Sequence, residues 1–190
     1  IGPNVKCMQS MLFIKPPGYP GQAYHQDEYY IETRDRSLTA AWIALDPATA
    51  ENGGMWFVPG SHRTGCFYRT VEHGNLDEYD FGTEAQGPRA GEIPLEAPPG
   101  AGVFFNGYVL HGSRKNRSNI YRRAIVNHYM NATSPLRWNG QDDYRDIVMV
   151  AGEDPYGWKG IQDLAKAWLR PCARELARAK TLPERFEKRH

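Results

Sequence analysis

"LTAAWIALDPATAENGGMWFVPG", Leu38 to Gly60, sets two short apolar runs on either side of a turn. The runs LTAAWIALD (Leu38 to Asp46) and GMWFVPG (Gly54 to Gly60) draw their bulk from aromatic and β-branched residues, which suit a pleated, half-buried surface. Between them, Asn52-Gly53-Gly54 supplies positive φ at no steric cost. Outward from this pair the pattern recurs: SMLFIK (Ser10 to Lys15), AGVFFNG (Ala101 to Gly107) and RRAIVNHYMN (Arg122 to Asn131) are further candidate strands, with Pro98-Pro99-Gly100 as a preset bend. Short runs separated by Gly, Pro, Asn and Asp predict an all-β sandwich or barrel over residues 7–131.

Two stretches differ. Residues 64–97 mix Gly, Glu, Asp and Tyr with little periodicity; the expectation is a lid or substrate loop, with a disordered insertion as the alternative. From about Trp158 the period becomes helical, with Ile161, Leu164, Ala165 and Trp168 on one face, predicting a helical segment over 158–190 that covers the sheet and bends at Pro171. The whole reads as one mainly β (α+β) domain, 1–190. Its start, IGPNVKCMQSMLFIKPPG, has no initiator Met and enters a strand-like run at once, so we expect preceding sequence.

Composition narrows the class. A chain of 190 residues is long enough for one sizeable core. Its 23 Lys and Arg against 22 Asp and Glu leave a net charge of +1, too little to attract nucleic acid or acidic lipid. Cys7, Cys66 and Cys172 make no CxxC pair and read as reduced thiols. No apolar run approaches the ~20 residues that span a bilayer, and the first residues lack a charged region followed by an apolar one, as a secretory signal would have. The sequons at Asn116 and Asn131 therefore read as chance matches. A cytoplasmic protein acting on a small molecule is the expectation, with no nucleic-acid or membrane partner; oligomeric state has no signature here.

GQAYHQDEYY, Gly21 to Tyr30, carries the first chemical signal. In a strand, residues i and i+2 share a face, so His25 and Asp27 can present an imidazole and a carboxylate to one ion while Gln26 points away. The third candidate is His111, just beyond the strand predicted at 101–107. Two His and one carboxylate on one face of iron leave open positions for a co-substrate and oxygen. Alone, His-x-Asp is weak, because a structural histidine beside a surface aspartate is commoner; His62, His73, His128 and His190 admit the same bland reading. Context strengthens it. A keto acid such as 2-oxoglutarate chelates iron at one end and leaves a distal carboxylate, which arginine matches with a planar fork. Arg122, eleven residues after His111, fits that role, and Arg123 would face the other way. Arg114, Lys115 and Arg117 read as solvated loop charges, and His62 and Arg63 as braces of the fold.

MLFIKPPGYPGQAYHQDEYY, AAWIALDPATAENGGMWFVPGSHR and FFNGYVLHGSRKNRSNIYRRAIVNHYM resemble, in order and spacing, three segments of the phytanoyl-CoA dioxygenase family. The resemblance implies a double-stranded β-helix (a cupin-like jelly roll) with flanking helices, using Fe(II), 2-oxoglutarate and O2. It places His25, Asp27 and His111 at the metal, Arg122 on the distal carboxylate, and Trp42 and Met11 at co-substrate-contacting positions; the Ser113 hydroxyl could add a hydrogen bond to a carboxylate. For Trp42 and Met11 the alternative is an ordinary core role, and for Ser113 a turn former. It also implies hydroxylation of a C–H bond while 2-oxoglutarate becomes succinate and CO2. Members carry an N-terminal helical region, often with a further co-substrate Lys, that has no counterpart here. Asp27 stands where related halogenases have a small residue, which favours hydroxylation over chlorination. Rival classes are a metal-dependent jelly-roll enzyme without 2-oxoglutarate, against which Arg122 argues, and a non-catalytic binding module, whose mark would be a lost ligand. Tyr24, Tyr29, Tyr30, Trp56, Phe67, Tyr68 and the 64–97 loop are candidate pocket walls. Without a basic cluster for the phosphates of coenzyme A, a smaller free metabolite is favoured.

Overall fold

The β-branched and aromatic runs become antiparallel strands in a computed structural model that describes residues 1–33, 35–80, 82–134 and 147–155. β1 (Val5–Lys15), β2 (Thr39–Ala44), β7 (Gly102–Asn106), β9 (Arg122–Asn131) and β10 (Val148–Ala151) form one sheet in the order β10-β1-β9-β2-β7. β3 (Met55–Phe57), β6 (Ile93–Pro94) and β8 (His111–Ser113) form a second, ordered β6-β3-β8, while β4 (Thr70–Glu72) pairs with β5 (Thr83–Ala85). Ala40, Trp42 and Ala44 of β2, Ala124 and Val126 of β9 and Met55 of β3 share one buried cluster, with Phe57 and Phe105 packed against it. Side chains of both larger sheets thus fill a common core, and the alanines leave room for the Trp42 indole. This is the mainly β jelly-roll architecture expected from the resemblance.

Period-two alternation sets what faces that core. On β9 the buried residues are Arg122, Ala124, Val126, His128 and Met130, while Arg123 faces out and pairs with Asp46 at 2.8 Å. β1 is longer than SMLFIK and carries a bulge: its register against β9 shifts between Cys7 and Gln9. Before the bulge Lys6 and Met8 are buried; beyond it Gln9, Met11, Phe13 and Lys15 turn to the inner side. One extra residue re-aims the rest of the strand.

Elsewhere the structure departs from expectation. β3 stops at Phe57, and the chain turns into a 3-10 turn at Ser61–Thr64. His62 and Arg63 are exposed there, and the bracing falls to Ser61, whose hydroxyl donates to Val58 O at 2.7 Å and accepts the Leu110 N–H at 2.8 Å. Residues 64–97 contain β4, β5 and β6, and the cations read as solvated pin this segment: Arg114 to Glu92 at 2.6 Å, Lys115 to Asp77 at 2.5 Å, and Arg117 to Glu78. Among the described residues the helical elements are that 3-10 turn and α1 (Asp27–Tyr30); the helical segment predicted over 158–190 and Cys172 lie outside them. No described helix is long and apolar enough to cross a membrane.

Candidate functional site

His25 and Asp27 do not share a strand. His25 makes one antiparallel bridge with His111, the two backbones exchanging N–H to O bonds of 2.8 and 3.1 Å, and the chain then turns into α1 at Asp27. The bridge sets the imidazole rings side by side, centroids 4.3 Å apart, and the turn brings the Asp27 carboxylate up to both. Gln26 does point away: its amide donates to Tyr108 O at 2.9 Å and accepts the Tyr68 N–H at 2.9 Å, which fixes the turn.

The three side chains are buried, with ligand atoms within 4.8 Å of one another. Each imidazole gives Nδ1 to a backbone carbonyl, His25 to Ala23 O at 2.8 Å and His111 to Val109 O at 2.9 Å. A carbonyl only accepts, so both Nδ1 atoms carry hydrogen and both neutral Nε2 atoms present lone pairs. Those lone pairs point at Asp27 Oδ1, 3.4 Å from His25 and 3.6 Å from His111. Three converging acceptors without a donor repel one another until a cation sits between them, so the donor set fits a metal ion. Titration reflects the same crowding. Burial pushes His111 down to about 4. For Asp27 burial works upward, but the imidazoles of His111, His128 and His25 around it hold its carboxyl well below the usual range. Burial opposes charge on His25 too, yet Asp27 beside it raises its pKa.

His128 orients the carboxylate. Gln9 Nε2 can only donate, and it lies 3.0 Å from His128 Nδ1; the ring hydrogen is therefore on Nε2, 3.1 Å from Asp27 Oδ2. Oδ2 is thus occupied, and Oδ1 faces the imidazoles.

These groups open on a cavity of about 330 Å³ whose lining includes all seven residues singled out from sequence: Met11, His25, Asp27, Trp42, His111, Ser113 and Arg122. In the same cavity, Arg122 is 3 % exposed. It donates to Gly53 O at 2.9 Å, leaves Nε without a partner, and meets no carboxylate among the described residues. Burial lowers it to about 10. An arginine buried in this state fits an anionic ligand that brings its own carboxylate. Lys15, across the β1–β9 pair from Arg122, donates to Gly53 O at 3.1 Å, Ser113 Oγ at 2.9 Å and Arg114 O at 2.8 Å; burial, then the charge of Arg122, brings it down to about 7. Ser113 Oγ also accepts the Gln22 N–H at 3.0 Å. With two donors on its oxygen, its hydroxyl hydrogen is left for an acceptor in the cavity.

Sequence reasoning missed His128, Gln9, Lys15 and Asp80, all of which line the cavity. His128 had a signal, since it stands an even number of residues from Arg122 on one strand; Gln9 and Lys15 had none, because the bulge decides their face. Of the aromatic residues proposed as walls, Tyr30 alone lines the cavity among the described residues. Tyr24 is fully buried and donates to Glu92 at 2.5 Å.

Comparison with known proteins follows the same lines. A family model described as Phytanoyl-CoA dioxygenase matches residues 1–124. Phytanoyl-CoA dioxygenase 1 of Oryza sativa subsp. japonica is 34% identical over 139 residues, 71% of this chain and 48% of that protein; the chain spans about half the length of the curated relatives it matches. Among solved structures, an apo non-heme monooxygenase, ThoJ, superposes with a TM-score of 0.65 at 22% identity, over 81% of this chain and 55% of that one, a likeness of fold. EvdO2 from Micromonospora carbonacea var. aurantiaca, complexed with 2-oxoglutarate, does so with a TM-score of 0.55 at 26% identity, over 78% of this chain and 57% of that one. The matched segment contains the bridged His25–Asp27–His111 cluster and Arg122 of the same cavity, and the chain belongs to the phytanoyl-CoA dioxygenase family.

Proposed function

We propose that this chain is an Fe(II)- and 2-oxoglutarate-dependent dioxygenase that hydroxylates a C–H bond of a small molecule. The observation that carries the reading is the pairing, in one cavity, of a donor-free His25–Asp27–His111 cluster with a buried Arg122 that has no carboxylate partner among the described residues. His25 and His111 would hold the metal through Nε2 and Asp27 through Oδ1, with His128 keeping the second carboxylate oxygen turned away. Arg122 would take the distal carboxylate of 2-oxoglutarate, Ser113 would donate its hydroxyl hydrogen to the same group, and Met11 and Trp42 would flank the chain of the keto acid. When bound, iron and 2-oxoglutarate supply the oxidising chemistry, O2 giving one oxygen to the substrate and one to succinate as CO2 is lost. Phe13, Trp42, Met55 and Phe105 give the cavity apolar walls, which would limit water at the reacting centre. A metal-dependent enzyme working without 2-oxoglutarate would have no use for Arg122.

The test is an anaerobic titration of the apoprotein with Fe(II) and 2-oxoglutarate, watching the weak visible absorption of the chelate. Wild type develops it, His25→Ala does not, and Arg122→Ala requires far more 2-oxoglutarate. A folded, iron-loaded wild type with no such band overturns the reading.

A further inference from the structure

The 64–97 segment brings one carboxylate into the cavity and leaves it without a counter-ion. Its place is built by backbone: Gly21 donates to Glu78 O at 2.8 Å and Asp80 donates to Gly21 O at 2.7 Å, so the turn before Asp80 is clamped to the cavity wall that Gly21 also forms. Four other acids of the segment are engaged. Asp77 pairs with Lys115, Glu78 with Arg117, Glu84 with Arg89 and Glu92 with Arg114. Asp80 has no ion pair or side-chain hydrogen bond among the described residues; its carboxylate meets only its own backbone N–H. Lys15, His73 and His25 lie within electrostatic reach, but none bonds the carboxylate: the three donors of Lys15 are spent on Gly53 O, Ser113 Oγ and Arg114 O, and neither ring nitrogen of His73 has a hydrogen-bond partner. Burial raises the Asp80 carboxyl in spite of these fields, whereas Asp77 and Glu78 are lowered by their cations.

Two tyrosines complete the setting. Tyr19 and Tyr30 line the same cavity and are 50% and 51% exposed, so their rings are open to a ligand. Tyr30 stands edge-on to His25 with centroids 6.1 Å apart, which puts that ring beside the metal-ligand cluster. A cavity that holds an unpaired carboxylate and exposed tyrosine rings suits an alkylammonium group, by charge-assisted hydrogen bonding and by cation–π contact. The cavity then carries both signs of charge: Arg122 for an anion and Asp80 for a cation.

We infer that the substrate is an amine: Asp80 recognises a primary or secondary ammonium group of a small molecule and so holds its carbon skeleton beside the metal site. This rests on the oxygenase reading for the reaction, but it is tested by binding. Protein loaded anaerobically with Fe(II) and 2-oxoglutarate is titrated calorimetrically with tyramine, N-acetyltyramine and 4-hydroxyphenylpropionate, which differ in charge at one end, and with putrescine and cadaverine. Wild type prefers the amines to the neutral and anionic probes by about tenfold or more, the worth of one charge-assisted hydrogen bond. Asp80→Asn, nearly the same size, loses that preference, and Asp80→Lys turns it toward 4-hydroxyphenylpropionate. If no amine is preferred, or the preference survives Asp80→Asn in protein that melts like wild type, the inference is overturned. The chelate absorption in the same samples fails separately: its absence sinks the oxygenase reading, while the calorimetry still decides the role of Asp80.

Discussion

Replacing His128 with Phe should loosen the metal by one to two orders of magnitude without touching a ligand. The imidazole does one thing at the site: its Nε2–H holds Asp27 Oδ2 at 3.1 Å, with the tautomer fixed by Gln9 3.0 Å away at Nδ1. Phe fills the same buried position but leaves that carboxylate oxygen unbonded and free to rotate toward the ion or away from it. A hydrogen bond to a charged group is worth about 1.5–3 kcal/mol, and each ~1.4 kcal/mol is tenfold, so the affinity should fall roughly 10- to 100-fold, the range usual for such supporting contacts. The assay is anaerobic competition for Fe(II), repeated with Zn(II), against a fluorescent chelator. Gln9→Leu keeps the imidazole and releases only its tautomer, so its loss should be smaller. A folded His128→Phe protein with wild-type affinity, or a Gln9→Leu loss larger than that of His128→Phe, would refute the reasoning.

Other expectations follow from the anionic end of the cavity and its frame. Arg122→Met should weaken 2-oxoglutarate binding by about two to three orders of magnitude, yet leave the ligand-free fold as stable or more so, because it removes a buried charge that lacks a counter-ion; melting curves with and without 2-oxoglutarate read both effects, and a large loss of ligand-free stability would contradict the account. Lys15 gives a pH signature. Its folded pKa is about 7 against the ordinary 10.5, so between those values the unfolded chain binds the extra proton and stability rises with pH. Below about 7 the full burial penalty is present; above 10.5 it is gone. Relative to Lys15→Met, wild type should therefore gain stability as pH goes from 7 to 10, seen in denaturant melts, and a flat difference would place the Lys15 charge elsewhere. Gly21→Ala should destabilise by ~1–3 kcal/mol or more, since a Cβ there would overlap the Ser113 carbonyl, and a melt unchanged from wild type would mean that the two segments can part.

What the chain reveals without its structure is whatever depends on neighbouring residues. Period-two alternation on Arg122–Asn131 fixed that Arg122 looks inward and Arg123 outward, and the types His, Asp, His and Arg, in that order, carried the chemistry of the site. The same alternation held His128 in view, but a buried histidine has many uses and nothing local ties it to Asp27. For the pair His25 and Asp27 a local argument reached the right neighbours by the wrong geometry, because a turn at Asp27 and a bridge to His111, 86 positions apart in sequence from His25, do what a strand was expected to do. Side-chain chemistry and local periodicity, then, were enough for the long strands β1, β2, β7 and β9 and for the candidate metal-ligating residue types and the arginine, but not for the short strands β4, β5, β6, β8 and β10. Which face Gln9 and Lys15 present, which carboxylate oxygen is free, which acid is left unpaired and which tyrosine reaches the cavity were decided by long-range pairing alone: a one-residue bulge between Cys7 and Gln9 turns over the rest of β1, and no property of those residues taken singly contains that shift.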